Sequence, residues 1–128
     1  MANETKYGVI SDIHQNPGIL PHALETLKNQ GVDKLLVNGD IGMIAENLKD
    51  SQNFTAYILD NIAKSGLEAY IQPGSHETVG AFEPVMEYFK DKHSNIIDAK
   101  ENSKIDSKDH SLVFLPGSDW NVQGGEYT

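Results

Sequence analysis

The stretch YGVISDIH at residues 7–14 is a short apolar run that ends in polar residues. Tyr7 to Ile10 has the composition of a buried β-strand, and Ser11-Asp12 marks the point where that strand ends. Asp12 and His14 lie two residues apart, so an extended backbone directs both side chains to the same side. The stretch therefore predicts a strand that delivers a carboxylate and an imidazole to its carboxyl end.

Two further units of the same kind follow. Apolar residues recur at helical spacing from Leu20 to Leu27, and Gly31 stands where a helix stop is expected. The run KLLVNGD at residues 34–40 then predicts a second strand that ends at Gly39-Asp40. A second helical pattern contains Phe54, Ile58 and Ile62. The strand predicted over residues 67–72 ends at Pro73-Gly74.

The remainder predicts one more helix and two strands. Phe82, Val85, Met86 and Phe89 mark the helix, residues 95–99 a strand, residues 100–109 a polar turn, and residues 111–115 the last strand. Strands that alternate with helices predict a mostly parallel sheet flanked by helices, an α/β fold. The strands are almost continuously apolar, which predicts burial on both faces. We expect one domain over residues 1–128.

The amino-acid composition argues against several classes of function. The chain carries a net charge of −9, and all ten of its cationic side chains are Lys. Without Arg or a basic stripe, a nucleic-acid surface is disfavoured. Cysteine is absent, which excludes thiolate metal sites and cysteine nucleophiles and makes the cytoplasm the default location. No apolar run is long enough to cross a membrane.

Three polar motifs follow three successive strands: Asp12-x-His14, Gly39-Asp40 and Gly74-Ser75-His76-Glu77. Ligands bind at the carboxyl edge of open α/β sheets, because the loops converge there. Mixed oxygen and nitrogen ligands suit Mn, Fe, Zn or similar divalent ions rather than calcium. Each motif alone has an ordinary explanation, such as a loop histidine, a turn carboxylate or a helix start. Their order, each after a strand, favours a metal site.

This ordered set resembles the N-terminal part of the calcineurin-like metallophosphoesterase family, closest to its small microbial phosphodiesterases. The resemblance implies the first half of a double-sheet αββα sandwich and metal-dependent hydrolysis of phosphodiesters or phosphomonoesters by a metal-bound hydroxide. Up to two divalent ions would act on a small-molecule phosphoester. The implied roles are metal binding by Asp12, His14, Asp40 and Ser75, catalysis by His76, and support by Gly39, Gly74 and Glu77.

The sequence departs from the family pattern in two ways. Ser75 stands where the family has an asparagine that binds the second metal, and nothing here matches the family's later Gly-His-x-His motif. We therefore expect an incomplete domain that lacks a C-terminal half or associates with itself or another chain, and weak or no activity of this chain alone. The alternatives are a degenerate non-catalytic binding or regulatory protein and a nuclease.

Overall fold

The structure is a computed structural model that describes residues 4–13, 16–43 and 45–116. Six strands and three helices follow one another, with a single 3-10 turn at Pro17–Ile19 before the first helix. Their bounds are β1 Tyr7–Ile10, α1 Leu20–Asn29, β2 Lys34–Asn38, α2 Leu48–Lys64, β3 Glu68–Gln72, α3 Val79–Lys92, β4 Ile96–Asp98, β5 Lys104–Asp106 and β6 Ser111–Val113.

Four of these strands form one parallel sheet in the order β1-β2-β3-β4. Each neighbouring pair is joined by a helix, so the sheet consists of three successive βαβ units. The α/β fold with a parallel sheet and flanking helices is thereby confirmed. Because all four strands run the same way, the loops that follow β1, β2 and β3 meet at one edge.

One face of the sheet is sealed by the three helices. Leu35, Val37 and Ile71 have no exposed surface, and they lie in the same apolar cluster as Ile58 of α2 and Phe82 of α3. The apolar residues that recur at helical spacing in the sequence thus face the sheet. This cluster is the main core of the domain, and it fixes the positions of the strand ends.

The second face of the sheet is covered unevenly. Val9, Leu36, Tyr70 and Ile97 are aligned across the four strands on this face. Tyr70 is 2% exposed beneath Phe114, with ring centroids 6.0 Å apart, whereas Val9 is 59% exposed. The prediction that the strands are buried on both faces is therefore confirmed for β3 and wrong for β1.

The segment predicted as a polar turn, residues 100–109, contains a strand instead. β5 pairs antiparallel with β6 in a two-stranded sheet, so the last predicted strand does not join the parallel sheet. Ile105 and Leu112 of this hairpin pack with Phe114 against the second face. At the hairpin turn, His110 Nε2 lies 2.5 Å from the hydroxyl of Tyr7. The hairpin thereby contacts β1 through Tyr7 and lies in one apolar cluster with Ile97 of β4.

Side-chain caps define where the two long helices begin. Asn47 accepts a hydrogen bond from the Asp50 amide at the start of α2, and Thr78 accepts one from the Ala81 amide at the start of α3. Such caps satisfy backbone donors that a helix leaves free at its first turn. The cap at Thr78 places the first turn of α3 directly after His76 and Glu77. None of the helices in the described part of the chain has the length and apolar character needed to cross a membrane.

The burial of individual side chains predicts which substitutions lower the free energy of unfolding. Leu35→Ala removes a fully buried side chain beneath the helices, and we expect it to lower the free energy of unfolding by about 2–5 kcal/mol. Leu115→Ala makes the same chemical change at a side chain that is 88% exposed, and we expect a change within about 0.5 kcal/mol. Urea unfolding followed by circular dichroism measures both. Equal losses in the two variants would contradict the assigned core.

Candidate metal centre

The loops after β1, β2 and β3 bring the predicted site residues to one edge of the sheet. Asp12 follows β1, Asp40 follows β2, and Ser75 and His76 follow β3. The Asp12 amide donates a hydrogen bond to the carbonyl of Gly39 at 3.3 Å, which joins the first two loops. Asp40 Oδ1 lies 3.0 Å from the hydroxyl of Ser75, which joins the second loop to the third.

Both aspartates have a left-handed backbone. Asp12 has a φ of 57° and Asp40 a φ of 53°, and no other non-glycine residue described in the structure has a positive φ. Aspartate tolerates this conformation better than most residues, but each instance still costs on the order of 1 kcal/mol. Strain of this kind persists where it directs a side chain to a functional position. It therefore marks the two predicted metal ligands independently of their sequence motifs.

The glycines of the second and third motifs allow these loops to approach each other. A Cβ added at Gly39 would lie 2.7 Å from the amide nitrogen of Gly74. A Cβ added at Gly74 would lie 2.6 Å from Asp40 Oδ1. Gly39 also has a φ of 80°, which favours glycine for a second reason. The supporting role predicted for both glycines has a steric basis in this contact.

Two hydrogen bonds end on a single oxygen of Asp40, and the ring nitrogen of His76 lies close to the same oxygen. Asp40 Oδ1 lies 3.0 Å from the hydroxyl of Ser75, 3.0 Å from the amide nitrogen of His76 and 3.3 Å from His76 Nδ1. Burial raises the pKa of this carboxyl, but the hydrogen bonds from His76 and Ser75 outweigh it, so the pKa lies below its usual value. Asp40 is therefore held as a carboxylate in one orientation.

The same contacts assign the proton of the His76 ring. The Ser75 hydroxyl uses its hydrogen toward Asp40, so its oxygen can accept a hydrogen bond from His76 Nδ1, 3.2 Å away. This arrangement places a proton on Nδ1. His76 is 29% exposed in its side chain, so solvent and ligands reach it.

Glu77 lies beneath the site rather than in it. It is 1% exposed, and its Oε1 accepts a hydrogen bond from the amide of Ile41 at 3.0 Å. Its Oε2 has no hydrogen-bond partner among the described residues. Burial, with a smaller contribution from the negative charge of Asp40, raises the pKa of Glu77 to about 7 against the opposing Ile41 contact. Glu77 therefore fastens the Gly39–Asp40 loop through its hydrogen bond with Ile41.

The donor chemistry fits a divalent cation in part. Asp12 and Asp40 supply carboxylate oxygens on adjacent loops, which are suitable ligands for such ions. His14 lies outside the described residues. Within residues 4–13, 16–43 and 45–116, no group of three or more His, Asp or Glu side chains is placed to hold a metal. Metal binding by Asp12, Asp40 and Ser75 therefore stays a prediction.

Two amide side chains beside the site were not singled out from the sequence. Gln72 ends β3 and donates from Nε2 to Asn38 Oδ1 at the end of β2, 3.2 Å away. Gln72 Oε1 is buried, and it has no partner in the part of the chain that the structure describes. A signal was present in the sequence, since Asn38 directly precedes Gly39 and Gln72 lies two residues before Gly74. The strand register places Asn38 and Gln72 opposite each other.

Of the remaining histidines of the described residues, His93 and His110 lie apart from the site, whereas His22 lines the same cavity as Asp12. His22 is exposed on α1, and His93 stacks on Phe89 at the end of α3. His110 contacts Tyr7 and the carboxylate of Asp109 at the hairpin turn. These are the contacts of packing and surface histidines.

Comparison with known families accounts for this combination of fold and motifs. The family model described as calcineurin-like phosphoesterase matches residues 5–127. The chain belongs to the calcineurin-like phosphoesterase family. Members are in general metal-dependent hydrolases of phosphoric esters, which agrees with the paired carboxylates at the sheet edge. No curated protein matches the sequence significantly.

Solved structures share the calcineurin-like phosphoesterase fold with this chain. TT1561 of Thermus thermophilus is 11% identical, with a TM-score of 0.63, over 73% of this chain and 40% of that one. A second crystal structure is 14% identical, with a TM-score of 0.68, over 92% of this chain and 56% of the other. At these identities the likeness concerns the fold alone. The chain spans about half the length of these two structures.

The contact between the loops predicts that a methyl group added at Gly74 lowers both stability and metal affinity. Gly74→Ala would press a Cβ against Asp40 Oδ1 and the Asp40 amide, so we expect a loss of stability of about 1–3 kcal/mol and weakened binding of Mn²⁺. Gly18→Ala is the matched control, because an added Cβ there meets nothing within 4 Å. Thermal unfolding and isothermal titration with Mn²⁺ measure the two effects. A Gly74→Ala variant equal to the Gly18→Ala control in both measurements would contradict the described packing.

The buried carboxyl of Glu77 predicts a pH dependence of stability in the metal-free protein. Because its pKa is raised from 4.5 to about 7 in the folded state, the unfolded chain loses its proton first as the pH rises. The free energy of unfolding should therefore fall across this interval, by at most about 3 kcal/mol, and level off above it. Glu77→Gln keeps an acceptor for Ile41 and should remove this contribution. Urea unfolding with a chelator present tests it, and identical pH slopes in both proteins would contradict the burial of Glu77.

Proposed function

We propose that this protein is a metal-dependent phosphoesterase whose site lies at the carboxyl edge of the parallel sheet. The observation that carries the proposal is the pair of left-handed aspartates, Asp12 and Asp40, on adjacent loops beside His76. Carboxylates can bind the cation that assists phosphoryl transfer, and backbone strain of this kind clusters at functional sites.

Each residue has a proposed role. Asp12 and Asp40 bind the cation, together with His14 as the sequence motif predicts. A cation held there would supply positive charge next to the phosphoryl oxygens and would lower the pKa of a bound water. His76 lies beside the phosphate, where its ring stabilises charge or donates a proton to the leaving oxygen. Ser75 orients both Asp40 and His76 through its hydroxyl.

Charge and composition support a small phosphoester as the substrate. A chain with net charge −9 and no Arg has few groups of its own to bind a phosphate, so most of the positive charge must come from the cation. The same balance disfavours a polyanionic nucleic acid and hence a nuclease. We propose a phosphodiester as the preferred class, Mn²⁺ as the first metal to test, and the cytoplasm as the location, because cysteine is absent.

The second candidate function is a non-catalytic relative that binds ligands or partners. Ser75 favours it, since a hydroxyl held on Asp40 is a weaker metal ligand than the amide that the family has at this position. Catalysis in the second candidate would be absent even with the cation bound. The two candidates therefore differ in turnover and agree in metal binding.

Turnover of bis-p-nitrophenyl phosphate with added Mn²⁺ separates the candidates. We expect slow, Mn²⁺-dependent hydrolysis that Asp40→Asn lowers about 100-fold or more, because a ligand to the cation is lost. Asp91→Asn removes a carboxylate on the exposed side of α3 and is the matched control, for which we expect wild-type turnover. Hydrolysis that is equally fast in both variants would contradict the phosphoesterase site. Mn²⁺ binding without any hydrolysis would favour the non-catalytic relative.

A further inference from the structure

A groove runs along the free edge of the parallel sheet, between β1 and α1. β1 pairs with β2 on one side, and no other strand that the structure describes lies on its far side. The groove has a volume of about 710 Å³, which is within the usual size of a small-molecule site. Asp12 lines it directly, so the groove opens beside one of the carboxylates proposed to bind the cation.

The walls of the groove are mainly apolar. Val9 on β1 is 59% exposed and Ile19, just before α1, is 51% exposed, so both present apolar surface to the groove. His22 and Thr26 lie one turn apart on α1 and add polar atoms. Among the described residues that line the groove, Asp12 and His22 are the ionisable ones and none is a Lys. The groove therefore suits an uncharged, mainly apolar group and offers no permanent cation to an anionic one.

The order of the strands determines which part of a substrate can reach this groove. β2 lies between β1 and β3, so Asp40 stands between Asp12 on one side and His76 on the other. Asp40 and His76 are not among the described residues that line the groove. The proposed function places the leaving oxygen at His76. The ester group that stays on the phosphorus is then the one that can extend past Asp12 into the groove.

We propose that the groove between β1 and α1 binds the ester group that the phosphate retains, and that the substrate is a phosphodiester whose retained group is uncharged and mainly apolar. This proposal rests on the proposed function, because it requires the phosphate to lie between Asp12 and His76. It makes Ile19 a specificity-determining residue. A phosphomonoester has no second ester group, so it cannot gain the binding free energy that this groove gives to a diester.

Hydrolysis of two diesters with the same leaving group tests the groove. Phenyl p-nitrophenyl phosphate and methyl p-nitrophenyl phosphate both release p-nitrophenolate, and they differ in the group that is retained. With Mn²⁺ present, we expect kcat/KM, divided by the uncatalysed rate of each ester, to be about tenfold higher for the phenyl ester, because the ring leaves water. The 4-carboxyphenyl analogue should lose this preference, since the groove holds no Lys to pair with its carboxylate.

A variant at Ile19 tests whether the preference for the phenyl ester arises in this groove. Ile19→Ser removes apolar surface there, and we expect the ratio of the two kcat/KM values to fall about threefold or more. Val113→Ser is the matched control, because Val113 is 69% exposed on β6 and does not line the groove, so its ratio should equal that of the wild type. Hydrolysis without a phenyl preference, or with the same preference in a folded Ile19→Ser variant, would overturn the groove and leave the phosphoesterase standing.

Binding measured without turnover separates the groove from catalysis. Diphenyl phosphate has poor leaving groups, so it can be added with Mg²⁺ to the isotope-labelled protein and followed by NMR. We expect the amide signals of Val9, Ile19 and Thr26 to shift, and to shift much less with dimethyl phosphate. Absence of this difference would overturn the groove, whether or not diesters are hydrolysed. The expected shifts without hydrolysis of any diester would overturn the phosphoesterase and leave the groove as a site that binds diesters.

Discussion

The contact between the Gly39–Asp40 turn and Gly74 is the constraint on which the site depends. The backbones of the loops after β2 and β3 touch there, and neither Gly39 nor Gly74 has room for a Cβ. Asp40 is forced into a left-handed conformation there, and its carboxylate falls within reach of Ser75 and His76. The buried Glu77 holds the same turn from below through the Ile41 amide.

The parallel sheet supplies this contact with a rigid base. Leu35, Val37 and Ile71 are sealed under the helices, so the ends of β2 and β3 have little freedom to separate. The backbone strain at Asp12 and Asp40 is offset by this packing, and its effect is to direct two carboxylates outward at one edge. Under the proposed function, an acidic chain without Arg would depend on a cation to bring phosphate to that edge.

Much of the fold and the membership of the site could be predicted from the sequence. Apolar runs and helical periodicity predicted β1 to β3 and the helices between them, because these elements bury whole faces. β5 was missed, since Lys104-Ile105-Asp106 contains one apolar residue and pairs only with a strand further along the chain. Three motifs after three strands predicted which residues gather at the edge. The hydrogen bonds to Asp40 Oδ1 were not predictable, because they depend on side-chain directions that spacing does not determine.

The most direct measurement of the central claim is the position of the cation itself. Crystals soaked in Mn²⁺ and measured at an X-ray energy where manganese scatters anomalously would locate every bound ion. The account predicts anomalous density at bonding distance from the Asp40 and Asp12 carboxylates, at the carboxyl edge of the sheet. A peak elsewhere on the protein, with none at these carboxylates, would contradict it.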